Sequence, residues 1–261
     1  MPEITSYEHG APCWTDLATS EPERAKVFYS VLFGWTYQDN DMGGGQFYSM
    51  AQLNGLDAGA IYGQSAEEME QGVPPRWSTY INVDDVDATA AKVAPLGGSL
   101  MMEPFDVMDV GRMALISDPT GAVVALWQFK AHMGARVVNE PGAMTWNELA
   151  TGDTDTAEAF YTELLGWHSH VVDMGGFDYT IFHITHEHPA GGMVQLDESQ
   201  AGVNSHWNVY FAVEDCDATT ELAVDSGGRV VVPPTDIPPG RFAILADPQG
   251  AVFAVMRTNE E

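Results

Sequence analysis

The chain has 261 residues, enough for one large domain or two ordinary ones, and its 45% hydrophobic and 10% aromatic content supports a buried core. With 38 acidic residues against 10 basic ones, the formal charge of −28 repels nucleic-acid phosphate and anionic lipid and argues against both as partners. Only 2 cysteines occur, Cys13 and Cys216, so a disulfide framework is not expected, and no apolar run reaches the roughly 18 residues of a spanning helix.

The opening "MPEITSYEHG" lacks the basic-then-apolar grammar of a signal peptide, which leads to the expectation of a cytoplasmic protein. The first predicted element is a strand over residues 13–18 in "CWTDLAT", which carries Asp16 where an apolar run would be ordinary. Ser20 and Glu21 precede a helix whose Ala25, Phe28, Tyr29, Leu32 and Phe33 recur at helical spacing, and Gly34 closes it. Three strands are predicted over 35–38, 46–53 and 58–62, separated by Gly and Asn turns. A second cycle starts at "STYINV", continues through a helix over 85–94, and ends with strands near 100–102, 113–117 and 123–127.

Residues 129–141, "FKAHMGARVVNEP", have weak periodicity and read as a linker or an interdomain arm. Beyond them the chain repeats itself. "GAPCWTDLATSEPERAKVFYSVLFGW" from Gly10 aligns without gaps to "GAMTWNELATGDTDTAEAFYTELLGW" from Gly142, and "GRMALISDPTGAVVAL" from Gly111 to "GRFAILADPQGAVFAV" from Gly240. The fold class is therefore α+β, four βαβββ modules in two domains, 1–128 and 142–261, joined by 129–141. The glycines of the "GG" and "DP.G" segments read as turn chemistry alone.

This grammar, with "FYSVLFGW" ending the first helix and "DPTGA" or "DPQGA" turning into the last strand, resembles the vicinal oxygen chelate superfamily of glyoxalases, extradiol dioxygenases and bleomycin-resistance proteins. The resemblance covers residues from about Gly10 to Arg257. It implies that paired modules curl into half-open barrels, one cavity per half, with exchange of modules between halves as the alternative. Monomer and homodimer are both compatible with such an arrangement. Metal-binding members place a His or Gln on the first strand, a His on the equivalent strand of the second module and a Glu on the last strand. Here those positions fall on Trp14, Ser78 and Ala125 in one half and on Trp146, Asn208 and Ala254 in the other. Neither set suits a divalent cation, so no metal and no other cofactor is expected. A separate cluster, "HITHEH" with His183, His186 and His188, matches no ligand spacing and reads as an exposed hairpin.

Strand alternation places Asp16 on the same face as Trp14 and Glu148 on the same face as Trp146, inside the expected cavities. By the same period Ser78 and Tyr80, and Asn208 and Tyr210, face inward, and Tyr48 and Tyr179 add aromatic wall. A carboxylate against apolar surface resists ionising, which suits acid–base work near neutrality, and a phenol can donate to an oxygen that gathers charge. Arg112 and Arg241 are candidates either to hold the carboxylates or to grip a substrate oxygen. The resulting expectation is a metal-independent enzyme that dehydrates or cyclises a hydrophobic, aromatic, polyketide-like metabolite, with Asp16, Glu148, Tyr80 and Tyr210 as the catalytic set. The alternatives are a binding or resistance protein without chemistry and a metal-dependent glyoxalase or hydroxylase.

Overall fold

A computed structural model describes residues 3–197, 200 and 202–259. In the first half, β1 (Pro12–Thr19), α1 (Pro22–Phe33), β2 (Thr36–Gly43), β3 (Gln46–Leu53) and β4 (Leu56–Gly63) form one module. A short helix α2 (Ala66–Glu70) leads to the second, made of β5 (Arg76–Asn82), α3 (Val86–Val93), β6 (Ser99–Val107), β7 (Gly111–Ser117) and β8 (Val123–Phe129). The second half repeats this with β9 (Met144–Thr151), α4 (Thr154–Leu165), β10 (His168–Asp173), β11 (Asp178–Thr185) and β12 (His188–Gln195), then β13 (His206–Ala212), α5 (Cys216–Asp225), β14 (Arg229–Ile237), β15 (Gly240–Ala246) and β16 (Val252–Thr258).

Each half makes its own eight-stranded sheet. The orders are β2-β3-β4-β1-β5-β8-β7-β6 and β10-β11-β12-β9-β13-β16-β15-β14, so the two opening strands of each half sit side by side at the centre. β1 and β5 are antiparallel, with Trp14 opposite Tyr80 and Asp16 opposite Ser78. In the second half Trp146 lies opposite Tyr210 and Glu148 opposite Asn208. Among the described residues strand pairing thus stays within each half, and no module is exchanged between the sheets.

The exchange takes place in the core instead. Helix α1 sends Phe28, Tyr29 and Phe33 into a cluster with Val209, Phe211, Phe253 and Val255 of the second half. Helix α4 sends Phe160, Tyr161 and Leu164 into a cluster with Ile81, Ile116 and Leu126 of the first. The helix of each leading module is therefore the core filler of the opposite half's trailing module.

Polar groups inside this seam are paired reciprocally. Tyr29 donates to Asp247 at 3.1 Å and accepts from the Trp77 indole at 2.9 Å; Tyr161 donates to Asp118 at 3.0 Å and accepts from Trp207 at 2.9 Å. Both aspartates belong to the "DP.GA" turns, whose other carboxylate oxygen caps backbone N–H groups of the turn. The "GG" glycines also do more than turn. A Cβ on Gly98 would lie 2.9 Å from the ring of Phe160, and one on Gly228 would lie 3.2 Å from Phe28, so the missing side chain lets each turn pack on the other half's helix.

The segment after β8 follows the first sheet. The amide of Ala135 donates to the Cys13 carbonyl at 2.8 Å and that of Arg136 to the Asp57 carbonyl at 2.7 Å. His132 sets its ring edge-on to Trp14 with centroids 4.5 Å apart, and its carbonyl accepts from the Trp127 indole. Both cysteines are free and buried. No helix among the described residues is long and apolar enough to cross a membrane.

Candidate active site

On the face of the first sheet away from α1, the alternating residues of β1, β5, β3 and β4 converge. Trp14 and Asp16 come from β1, Tyr80 and Ser78 from β5, Tyr48 from β3 and Tyr62 from β4, where Tyr62 pairs in register with Tyr48 and with Ala18. The opposite faces of the same strands send Thr15, Trp77 and Leu17 toward the interior of the seam, which settles the facing of the whole set.

Asp16 is 1% exposed. Tyr80 donates to its Oδ2 at 2.7 Å and Tyr48 donates to the same oxygen at 3.0 Å, while the indole of Trp14 donates to the Tyr48 hydroxyl at 2.9 Å. The chain of donors runs from indole to phenol to carboxylate, each bond polarising the next. The other oxygen, Oδ1, is buried and has no partner among the described residues. Burial pushes the Asp16 carboxyl up to about 6, against the opposing pull of the two phenols, of the Arg76 charge and of the Ser78 hydroxyl beside it. The same burial, with the carboxylate beside them, keeps Tyr48 and Tyr80 well above the ordinary phenol range, so both remain donors.

The second half builds the same array from Trp146, Tyr179, Glu148 and Tyr210. The indole donates to Tyr179 at 2.9 Å, Tyr179 to Glu148 Oε2 at 2.9 Å and Tyr210 to Glu148 Oε1 at 2.8 Å. Here each carboxylate oxygen has its own phenol. The extra methylene carries the Glu148 carboxylate further from the sheet, and the side chain is partly exposed where Asp16 is not. Burial raises the Glu148 carboxyl as well, opposed by Tyr210 and Tyr179. The bare Gly192, opposite Glu148 on β12, leaves the space that the Tyr179 hydroxyl takes.

One expectation needs correction. Arg112 and Arg241 do not hold the carboxylates: Arg112 grips Asp87 at 2.6 and 2.8 Å, and Arg241 grips Asp217 at 2.7 and 2.9 Å, both at the protein surface. The phenols of Tyr80 and Tyr210 each donate to a carboxylate, Tyr80 to Asp16 and Tyr210 to Glu148.

Two neighbours escaped the sequence reading. Tyr62 stacks on Tyr48 with centroids 5.7 Å apart, and Arg76 stands opposite Ala18, one pleat period beyond Ser78. Arg76 Nη2 donates to Glu68 Oε1 at 2.7 Å, and Glu68 is itself fixed by a capping box with Ser65 on α2. Period-2 counting from Ser78 would have placed Arg76 on this face; the α2 turn that supplies Glu68 has no apolar periodicity to announce it. A depression of about 190 Å³ opens beside this group, with Phe47, Tyr62 and Glu68 in its wall.

The positions that hold metal in the resembling enzymes present an indole, a hydroxyl and a methyl group in one half, and an indole, an amide and a methyl group in the other. Ala125 and Ala254 lie beside Tyr80 and Tyr210 in register and are fully buried. These donor sets do not fit a divalent cation. Among the described residues no group of three or more His, Cys, Asp or Glu side chains is arranged to hold one. Of the "HITHEH" histidines, His186 lies exposed in the hairpin turn, and His188 faces Glu8 across 3.0 Å.

The family model for the "Glyoxalase/Bleomycin resistance protein/Dioxygenase superfamily" matches residues 12–126 and again 143–255. CFP32 of Mycobacterium tuberculosis, a protein named as a glyoxylase, is 48% identical over 98% of both chains. The anthracycline biosynthesis protein DauV of Streptomyces sp. (strain C5) is 37% identical over 98% of this chain and 96% of its own. DnrV of Streptomyces peucetius, described in the same words, is 36% identical over the same shares. Among solved structures, the Mn(II)-bound glyoxalase from Novosphingobium aromaticivorans superposes with a TM-score of 0.67 at 16% identity, covering 97% of this chain and 83% of that one. The 2,3-dioxygenase LapB from Pseudomonas sp. KL28 gives 0.65 at 15%, covering 98% and 94%. At such identity these two speak for the fold alone.

Proposed function

This chain belongs to the glyoxalase/bleomycin resistance protein/dioxygenase superfamily, and from that premise we propose that it is a metal-independent enzyme of natural-product metabolism. On this reading it dehydrates or cyclises a hydrophobic, aromatic, polyketide-like metabolite by proton transfer at Asp16. The observation that carries the proposal is the free oxygen of Asp16: a buried carboxylate held by two phenols on Oδ2, raised toward neutrality, with Oδ1 unpaired. The relationship to two anthracycline biosynthesis proteins supports the substrate class.

The chemistry follows from the arrangement. Ionised Asp16 takes a proton from carbon next to a substrate carbonyl onto Oδ1, and the C–H electron pair moves into an enolate. Returned to a departing hydroxyl, that proton leaves with it as water and the carboxylate is regenerated; delivered instead after attack of the enolate carbon on a second carbonyl, it completes a ring closure. Tyr48 and Tyr80 keep Oδ2 occupied, so the proton has one place to go. Glu148, with both oxygens satisfied, serves in the second half as a structural copy of the array.

A binding protein without chemistry is the second reading, favoured by one observation: the phenols already satisfy three of the four carboxylate oxygens without any ligand. Product analysis separates the two. An aromatic polyketide with a hydroxyl or second carbonyl beside an acidic C–H, incubated with wild type, should lose the mass of water or isomerise, and Asp16→Asn should bind it and return it unchanged. Full turnover by Asp16→Asn would remove the proposal.

A further inference from the structure

We propose that Arg76 and Asp16 together form a donor–acceptor clamp for a substrate in which a carbonyl oxygen and a hydroxyl stand side by side, as in a hydroxyquinone or the enol of a 1,3-diketone. The inference rests on the reading of Asp16 given above and adds to it a positioning residue and a chemical class of ligand.

Among the buried polar atoms of the first half that have no partner within the described residues are Asp16 Oδ1, an acceptor, and Arg76 Nη1, a donor, on the same face of the sheet. Buried groups of this kind are ordinarily satisfied, and an ionic one costs more to leave bare than a neutral one. They lie one pleat period apart along adjacent strands, since Asp16 pairs with Ser78 and Ala18 pairs with Arg76. They do not close on each other, because the guanidinium is drawn to Glu68 by its Nη2 at 2.7 Å. Glu68 is anchored by the backbone amide and hydroxyl of Ser65, so the guanidinium is held through Nη2 while Nη1 has no partner among the described residues. Ala18 between them is small, and Tyr62 supplies an aromatic wall on its other side. A depression with Phe47, Tyr62 and Glu68 in its wall opens beside the ion-pair partner of Arg76.

A carbonyl oxygen accepts from Nη1 and a neighbouring hydroxyl donates to Oδ1, so one ligand motif satisfies both atoms at once. A lone carboxylate ligand would leave Asp16 facing a like charge, and a lone amine would leave Arg76 bare. The second half lacks the clamp. His206 stands opposite Ala150 where Arg76 stands opposite Ala18, Val194 takes the place of Tyr62, and both oxygens of Glu148 are spoken for. One such ligand per chain is expected.

The test is equilibrium binding of three probes, 1-hydroxyanthraquinone, 1-methoxyanthraquinone and anthraquinone, followed by tryptophan fluorescence, with wild type, Arg76→Met, Asp16→Ala and Glu68→Gln. Wild type should bind one equivalent of the hydroxy probe at least about tenfold more tightly than the other two. Asp16→Ala should abolish that preference, and Arg76→Met should weaken the hydroxy probe by about tenfold or more. Glu68→Gln, which alters the ion pair without removing Nη1, should keep the preference. Arg76→Met should also raise the Asp16 carboxyl further, read by isotope-edited infrared titration, because the Arg76 charge lowers it. No preference in wild type, no binding at all, or an unchanged preference and titration in Arg76→Met would each overturn the clamp. Loss of turnover in Asp16→Asn bears only on the proton-transfer reading, so the two claims fail separately.

Discussion

Asp16 and Glu148 occupy equivalent positions in the two halves and each accepts from two phenols, yet Tyr48 and Tyr80 share one oxygen of Asp16 while Tyr179 and Tyr210 take one oxygen each of Glu148. One methylene separates the two outcomes. The shorter side chain keeps its carboxylate beneath the aromatic layer with Oδ1 bare, and the longer one reaches between its phenols.

The asymmetry predicts unequal consequences for the two isosteric substitutions. Asp16→Asn should lower kcat by about 100-fold or more with little change in ligand affinity, the range expected when a general base is lost. Glu148→Gln should leave kcat within a few-fold of wild type, because the amide still accepts from Tyr179 or Tyr210. Steady-state kinetics on the aromatic polyketide turned over by wild type checks both.

Stability should depend on pH through Asp16 in a defined direction. Its folded-state carboxyl is raised from 3.8 to about 6, so its contribution is fully present below the unfolded value and is lost as pH rises through the folded one. Asp16→Asn removes this dependence while keeping an acceptor for the phenols. Relative to wild type, the variant should gain about 2 kcal/mol between pH 4 and pH 7, measured by urea unfolding at each pH. A constant difference across that window would contradict the burial argument.

The seam between the halves makes a second stability prediction. Tyr29→Phe strips Asp247 of its donor and Trp77 of its acceptor, and Tyr161→Phe does the same to Asp118 and Trp207. Each should cost about 1–3 kcal/mol, and the losses should appear as one cooperative transition rather than as separate melting of one half. Calorimetry of the two variants provides the check.

Gly98→Ala and Gly228→Ala test the close approach of each turn to the opposite helix. Neither glycine has a positive φ, so any loss comes from the new methyl group meeting Phe160 or Phe28 and nearby backbone carbonyls. About 1–3 kcal/mol of destabilisation is expected from overpacking, against almost none for Gly121→Ser in an open turn beyond its own backbone strain.

Much of this was legible before any coordinates. The repeat and the strand–helix–strand grammar gave the module, and period-2 counting from Trp14 put Asp16, Ser78 and Tyr80 on one face, because β1 and β5 are regular where it matters. The exposed arginines were misplaced since Asp87 and Asp217, their partners, start neighbouring helices and lie far away in the chain. Arg76 was missed because its partner sits on α2, a five-residue helix fixed by a capping box rather than by an apolar stripe. The reciprocal use of Tyr29 and Tyr161 was hidden for a different reason: a self-repeat shows which residues are equivalent, and carries no sign that each one's partner lies in the other copy.

The most direct measurement of the central claim is a titration of the Asp16 carboxyl itself, by carbon NMR of protein labelled at aspartate, assigned by comparison with Asp16→Asn. The account predicts a midpoint near 6, moving upward in Arg76→Met. A midpoint at or below the ordinary aspartate value, or one that ignores the loss of Arg76, would contradict it.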